Sequence, residues 1–328
     1  MTDPIPGTRF TTGSFAPVAV ADRNGTDESL HHGAGVVIDA RGAIVGSVGD
    51  PELPVFPRSS LKPFQSSAMV RAGLDLPARL LAVVTASHSG EAVHVAAVRE
   101  ILDRFHFEAN DLANTTDRPF GVAARERSLL DGSAPSQIDQ NCSGKHAGML
   151  ATCRINGWPT ENYLDSTHPL QVAITNEIGR LTGRADGSVL DVGVDGCGAP
   201  THVMPLVDVA RALRTLQREQ SDVVAAMAHH PHLVGGANRI DTTWMESVPG
   251  LAAKEGAAGM MVLGLPDGRA AALKIADGSD GARTAVTAEI LRMLDVDVDG
   301  ELADVRDRLA VPVLGHGEPV GAIRSLAW

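Results

Sequence analysis

The sequence predicts an α/β fold whose sheet is drawn from both ends of the chain, with a mainly helical stretch between them. Two hairpin signatures and a run of helical periodicity carry this expectation. In the first hairpin, Ala34-Gly35-Val36-Val37-Ile38-Asp39 and Ala43-Ile44-Val45-Gly46-Ser47-Val48 flank Ala40-Arg41-Gly42, a connection of hairpin length and chemistry. In the second, Met260-Met261-Val262-Leu263 and Ala271-Ala272-Leu273-Lys274-Ile275 flank a turn at Pro266-Asp267-Gly268. Between them, Val98, Ile101, Leu102 and Phe105 recur at helical spacing, as do Leu170, Ile174, Ile178 and Leu181, the second stripe closed by Gly183. Asp280 to Leu294 reads as a final helix with Val286, Ile290, Met293 and Leu294 on one face. These apolar positions are core. The chain contains neither an internal repeat nor a low-complexity linker, so residues 1–328 are expected to form one domain. Its sheet lobe would span approximately 1–64 plus 250–328, and its helical lobe 65–249.

Composition narrows the partners. Lysine and arginine total 28 against 40 aspartates and glutamates, a net charge of −12, which opposes nucleic acid and anionic membranes. Aromatic residues make up only 3%, too few for base-stacking platforms. A small-molecule ligand fits better. Met1 to Pro17 lacks a basic segment followed by an apolar one, and no apolar run approaches the roughly 20 residues of a membrane span, so the protein is expected to be cytoplasmic. Three cysteines do not make a secreted disulfide framework, which points them toward metal binding, catalysis or packing.

The densest chemistry begins at Arg58-Ser59-Ser60-Leu61-Lys62-Pro63-Phe64-Gln65. Residues three apart on a helical turn share a face, with β-carbons roughly 5–6 Å apart. The Lys62 amine can therefore reach the Ser59 hydroxyl. Such a lysine serves as a base only if its pKa falls from about 10.4 toward roughly 7–8, and the positive end of a helix works in that direction. Pro63 biases Lys62 away from helical geometry. Taken alone, Ser-x-x-Lys more often marks a capped helix with a solvated lysine.

Three further segments change that weighting: Ala86-Ser87-His88-Ser89-Gly90-Glu91, Asn141-Cys142-Ser143-Gly144-Lys145-His146, and Val194-Asp195-Gly196-Cys197-Gly198. Each packs small residues around reactive side chains, as where backbone must approach a ligand closely. Together with the Ser59 segment they resemble the rhizobial-type L-asparaginases, over essentially the whole chain and in the same order. The Asn-Cys-Ser-Gly-Lys-His run is the most specific piece.

The resemblance implies a serine β-lactamase-like architecture, in which first and last strands pair and a helical lobe is inserted. It implies hydrolysis of L-asparagine to aspartate and ammonia in a homodimer, with two Ser–Lys tandems, Ser59 with Lys62 and Ser87 with Lys274. It also implies a zinc ion (Zn2+) held by Cys142, Lys145 and Cys197. Read on composition alone, Lys274 is an edge-strand gatekeeper and the two cysteines are buried thiols. Lysine ligates a metal only when neutral, and a neighbouring cation is one of the few ways to force that. Asp195 either completes the metal shell or is a turn residue before glycine. Arg58 is a candidate anchor for the charged ends of the substrate, and Ser89 is the fallback for Ser87. His88 is a candidate base or a capping residue, and Cys153 is expected to pack. Either Ser59 or Ser87 supplies the nucleophile.

Three alternatives belong beside this reading. A penicillin-recognising hydrolase shares Ser-x-x-Lys, but neither Ser-Asp-Asn nor Lys-Thr-Gly occurs. A glutaminase differs by one methylene, worth only about 1–3 kcal/mol in binding. A non-catalytic amino-acid or zinc-binding protein would have no need of both serines and both lysines.

Overall fold

Glycine and asparagine at tight turns set the sheet. Asn24 and Gly25 both have positive φ, 49° and 78°, and join β1 (Ala16–Arg23) to β2 (Thr26–Ile38) in the manner of a two-residue hairpin. The Asp39 carboxylate then accepts from the backbone of Arg41 and Ala43, Gly42 turns at φ 89°, and β3 (Ile44–Val48) returns along β2. The computed structural model describes residues 10–183 and 191–328. Of the amino-terminal stretch read for a targeting signal, residues 1–9 lie outside them.

Three short strands, β4 (Pro54–Val55), β5 (Asp191–Val194) and β6 (Pro200–Pro205), form a small sheet in the order β4-β6-β5, with helices before and after β5 and β6. The chain returns to the main sheet through β7 (Ala252–Gly256), β8 (Met260–Gly264) and β9 (Ala270–Ile275), and ends in the hairpin of β10 (Pro312–Gly315) and β11 (Glu318–Ser325). The main-sheet order is β10-β11-β1-β2-β9-β8-β7, with β3 also on β2. Val36 lies opposite Ala272 of β9 and Ser47 of β3, and Val20 of the first strand pairs with Arg324 of the last. Sheet segments from both ends thus close on each other around inserted helices, as expected. Both predicted hairpins form; β1, β7, β10 and β11 are additional.

The predicted helices span Ala92–Arg104, Pro169–Thr182 and Asp280–Met293. Val98, Ile101, Leu102, Leu170, Ile174, Ile178 and Leu181 are all buried, and Gly183 ends its helix in the left-handed conformation at φ 70°. Phe105 is only partly buried and sits just past its helix. The helices Leu206–Arg218 and Asp280–Met293 pack on the sheet.

One close approach positions the site. The helix Ser143–Asn156 lies on Ala78–Val84. A β-carbon on Gly144 would sit 2.2 Å from the Val83 carbonyl oxygen, and one on Gly148 2.7 Å from a Val84 methyl. The two glycines let the amino-terminal end of one helix meet the segment that leaves the other at Thr85 to Ser89. Gly144→Ala is therefore expected to lower stability by about 1–3 kcal/mol, the usual cost of overpacking. Urea unfolding checks this, and an unchanged midpoint would show that the helices do not need this contact.

Candidate active site

The turn that carries Ser59 is a tight 3-10 turn, Arg58–Leu61, running into the helix Lys62–Arg71. Lys62 is helical despite Pro63, at φ −57° and ψ −38°, and its backbone N–H donates to the Ser59 carbonyl. Proline lies within the first turn, where its missing N–H has no intrahelical partner to lose. Arg58 takes φ 53°, a left-handed conformation that non-glycine residues adopt at a cost and that clusters at functional sites. Its Nε donates to Asp195 Oδ1 at 2.6 Å, joining this turn to the one before Cys197.

The Lys62 amine turns away from its own turn. Its Nζ lies 2.8 Å from Ser87 Oγ and also bonds the Ala86 carbonyl. Lys62 and Ser87 are 1% and 3% exposed, so the contact is shielded from water. Burial lowers the Lys62 pKa from the ordinary lysine value; the thiol groups of Cys142 and Cys197 oppose this and Lys145 adds to it. The Ser–Lys pair that hydrogen-bonds is therefore Ser87 with Lys62. Among the described residues the Ser59 hydroxyl has no hydrogen-bond partner.

Lys274 does not join Ser87. Its Nζ bonds the carbonyls of Ala258 and Ile275 at the end of its own hairpin, and its pKa is lowered by burial, with Arg58 adding to the effect and Asp277 opposing it. The expected Ser87–Lys274 tandem is corrected accordingly: a lysine whose donors are spent on nearby carbonyls is not paired with that serine. Ser89 gives its hydroxyl to the Gly235 carbonyl at 2.9 Å. His88 accepts from the Gly90 backbone at Nδ1 and bonds Ser143 Oγ through Nε2; burial, with the charges of His94 and Lys62, keeps it well below the usual histidine pKa. Cys153 is buried, its thiol pushed up to about 12 by burial alone.

Cys142, Lys145 and Cys197 come together. The Lys145 amine lies 3.1 Å from Cys197 Sγ and the Cys142 thiol donates to Asn141 Oδ1 at 3.2 Å; interaction between the two thiols drives Cys142 well above the ordinary thiol value and Cys197 below it. Burial works against a charge on Lys145, but Cys197, Cys142 and Asp195 outweigh it and hold the amine above the ordinary lysine value. His146 bonds Tyr163 through Nδ1, while its Nε2 is buried with no hydrogen-bond partner; burial pushes its pKa down to about 4, opposed chiefly by Cys197. Among the described residues no group of three or more His, Cys, Asp or Glu side chains is arranged for a metal. The two sulfurs with an amine on one of them, and the unsatisfied imidazole nitrogen beside them, nevertheless fit zinc in their donor chemistry.

One ionisable residue at this centre was not expected. Lys254 on β7 is fully buried, its Nζ 2.7 Å from Asp241 Oδ2, itself fully buried. Its backbone carbonyl accepts from Ser60 Oγ at 2.8 Å, and a β-carbon on Gly256 would lie 2.4 Å from the Pro57 carbonyl oxygen. The strand thus runs directly against the Ser59 turn. Lys254-Glu255-Gly256 keeps the lysine and glycine of Lys-Thr-Gly with glutamate between, the signal that could have found it. A cavity of about 890 Å³ opens beside Ser89 and Gly90, with Phe120 and Arg239 in its wall.

No helix among the described residues is long and apolar enough to cross a membrane. Among solved structures, a β-lactamase from Mycobacterium bovis is similar to the chain at a TM-score of 0.44 and 15% identity, covering 80% of this chain and 95% of that one. No curated protein matches. The L-asparaginase II family matches residues 19–325, a span containing both members of the buried Ser–Lys pair and all three of the Cys, Lys and Cys group, and the chain belongs to that family.

Proposed function

We propose that the protein hydrolyses L-asparagine to L-aspartate and ammonia, with Ser87 as nucleophile and Lys62 as its base. The observation that carries this reading is the 2.8 Å contact between Lys62 Nζ and Ser87 Oγ in a buried setting. In its neutral form the amine accepts the hydroxyl proton as Oγ attacks the side-chain carboxamide carbon. The resulting ammonium returns that proton to the departing nitrogen, which leaves as ammonia. An ester on Ser87 remains. Water then attacks the ester, Lys62 again takes the proton, and aspartate is released as the serine recovers its hydrogen.

Arg58 and Asp195 form an ion pair whose arginine side chain is 32% exposed. An arginine beside an aspartate complements the α-carboxylate and α-amino groups of a free amino acid, and these two residues are proposed to hold them. Zinc bound by Cys142, Lys145 and Cys197 would supply positive charge for orienting the substrate. The proton steps need only Ser87 and Lys62.

Ser87→Ala and Lys62→Met are each expected to reduce ammonia release from asparagine by at least about 100-fold, the lower range for a general base, with the circular dichroism spectrum unchanged. Ser59→Ala should lose less. Near wild-type activity in either Ser87→Ala or Lys62→Met would remove the pair from the mechanism. Because Lys62 acts only when neutral, kcat/KM should rise with pH through its lowered pKa. A profile measured from about pH 5 to 9 tests the sign; activity that is highest at the acid end would require a carboxylate base instead. Protein prepared without chelator should carry about one zinc per chain, lost in Cys142→Ala or Cys197→Ala, and elemental analysis decides this without an activity assay.

A further inference from the structure

We infer that Asp241 is a positioning residue for this site: through a fully buried ion pair it holds the Lys254 ammonium against the Ser59–Lys62 turn, and hydrolysis depends on that fixed positive charge. The inference rests on the proposed hydrolytic reading and extends it to a residue that touches neither nucleophile nor base.

Three observations lead there. First, both partners are completely buried at 2.7 Å, and a buried ion pair is seldom worth more to folding than two apolar side chains of the same volume. Second, Lys254 sits where β7 meets the Ser59–Lys62 turn, its backbone fixed by the bond from Ser60 Oγ to its carbonyl. Third, Asp241 belongs to a corner that also grips the other half of the site. Arg239, which precedes the helix Ile240–Ser247, donates to the Ser87 carbonyl at 3.1 Å and pairs with Glu255, the neighbour of Lys254. Residues 239 and 241 thus reach Ser87 and Lys254 from a single turn of chain.

The charge balance around Lys254 makes Asp241 decisive. Burial disfavours the ammonium, Lys62 from its helix and Arg239 from the corner disfavour it further, and Asp241 alone among these neighbours favours it, leaving a pKa of about 8. With Asp241 in place the ammonium is the main form at neutral pH. Attack of Ser87 on a carboxamide builds negative charge on the carbonyl oxygen, and a cation already fixed in a dry interior stabilises that charge without reorganisation. Removing an opposite charge at this range lowers a lysine pKa by about 1–3 units, which shifts Lys254 toward its neutral form at neutral pH.

The test compares wild type, Asp241→Asn, Lys254→Met and the double variant Asp241→Leu/Lys254→Met, which buries no unpaired charge. In protein labelled with 13C at lysine Cε, the resonance absent from Lys254→Met reports the Lys254 titration directly and needs no activity. In Asp241→Asn its midpoint should fall by about 1–3 units. The descending alkaline limb of kcat/KM should move acidwards by the same amount, and kcat at neutral pH should drop about tenfold with KM little changed, as expected for a midpoint shift of about 2 units. The double variant should fold and be as impaired as Lys254→Met. A folded Asp241→Asn with the wild-type pH profile, or a double variant with wild-type kcat, overturns the inference; should Asp241→Asn fail to fold, the double variant decides alone. Failure of the underlying reading looks different, since it shows as retained activity in Ser87→Ala or Lys62→Met.

Discussion

An ammonium group taken out of water loses several kcal/mol of hydration, and a protein that buries one must either neutralise it or surround it with compensating charge. Here three lysines, Lys62, Lys145 and Lys254, are at most 1% exposed, and each is treated differently. Lys62 has neutral partners, a hydroxyl and a carbonyl, and burial is the largest influence on it. Lys145 faces two thiols and Asp195, which outweigh burial and keep it charged. Lys254 lies between these cases, lowered to about 8 with one carboxylate as counterweight. Chemically identical side chains are thereby given three different proton affinities. Environments that push like groups apart in pKa are how acid and base roles are divided at one site.

The fold supplies the closeness this sorting needs. The segment that carries Ser87 leaves Ala78–Val84, which is drawn against the helix starting at Ser143 at Gly144 and Gly148. Lys254 can face Lys62 because Gly256 lets β7 touch the Pro57–Ser60 turn. Arg58 is held in left-handed backbone at the same turn, a strain compensated in part by its bond to Asp195.

How far this was legible in the sequence depended on whether a signal was local. The hairpins around Gly42 and Gly268 and the stripes at Val98 and Leu170 are short-range patterns, and they formed. Asn24-Gly25 is an equally local hairpin signal that the alternation downstream of it overshadowed. β7 was invisible for a physical reason: Ala252-Ala253-Lys254-Glu255-Gly256 is built from residues depleted in strands and is extended only because β8 pairs with it in a buried sheet. Lys254 went unseen with it. The grouping of Cys142, Lys145 and Cys197 followed from family resemblance, since nothing in their spacing joins Cys197 to the other two. The exchange of Ser59 for Ser87 as partner of Lys62 shows the limit of spacing arguments. Residues three apart share a face, but a lysine stem is long enough to cross to the next segment, and only the tertiary approach decides where the amine goes.

The same burial that prepares the site sets it against stability. Each buried amine is a place where an apolar residue of similar volume would cost the fold less, so selection for stability alone would favour methionine or leucine at 62, 145 and 254. Each lysine is instead buried and tied to a named partner on another segment. By contrast Lys274 is only partly buried and gives its amine to the nearby carbonyls of Ala258 and Ile275, with burial again lowering its pKa. Lysine burial therefore sets Lys62, Lys145 and Lys254 apart from Lys274 more clearly than the presence of lysine in a motif does.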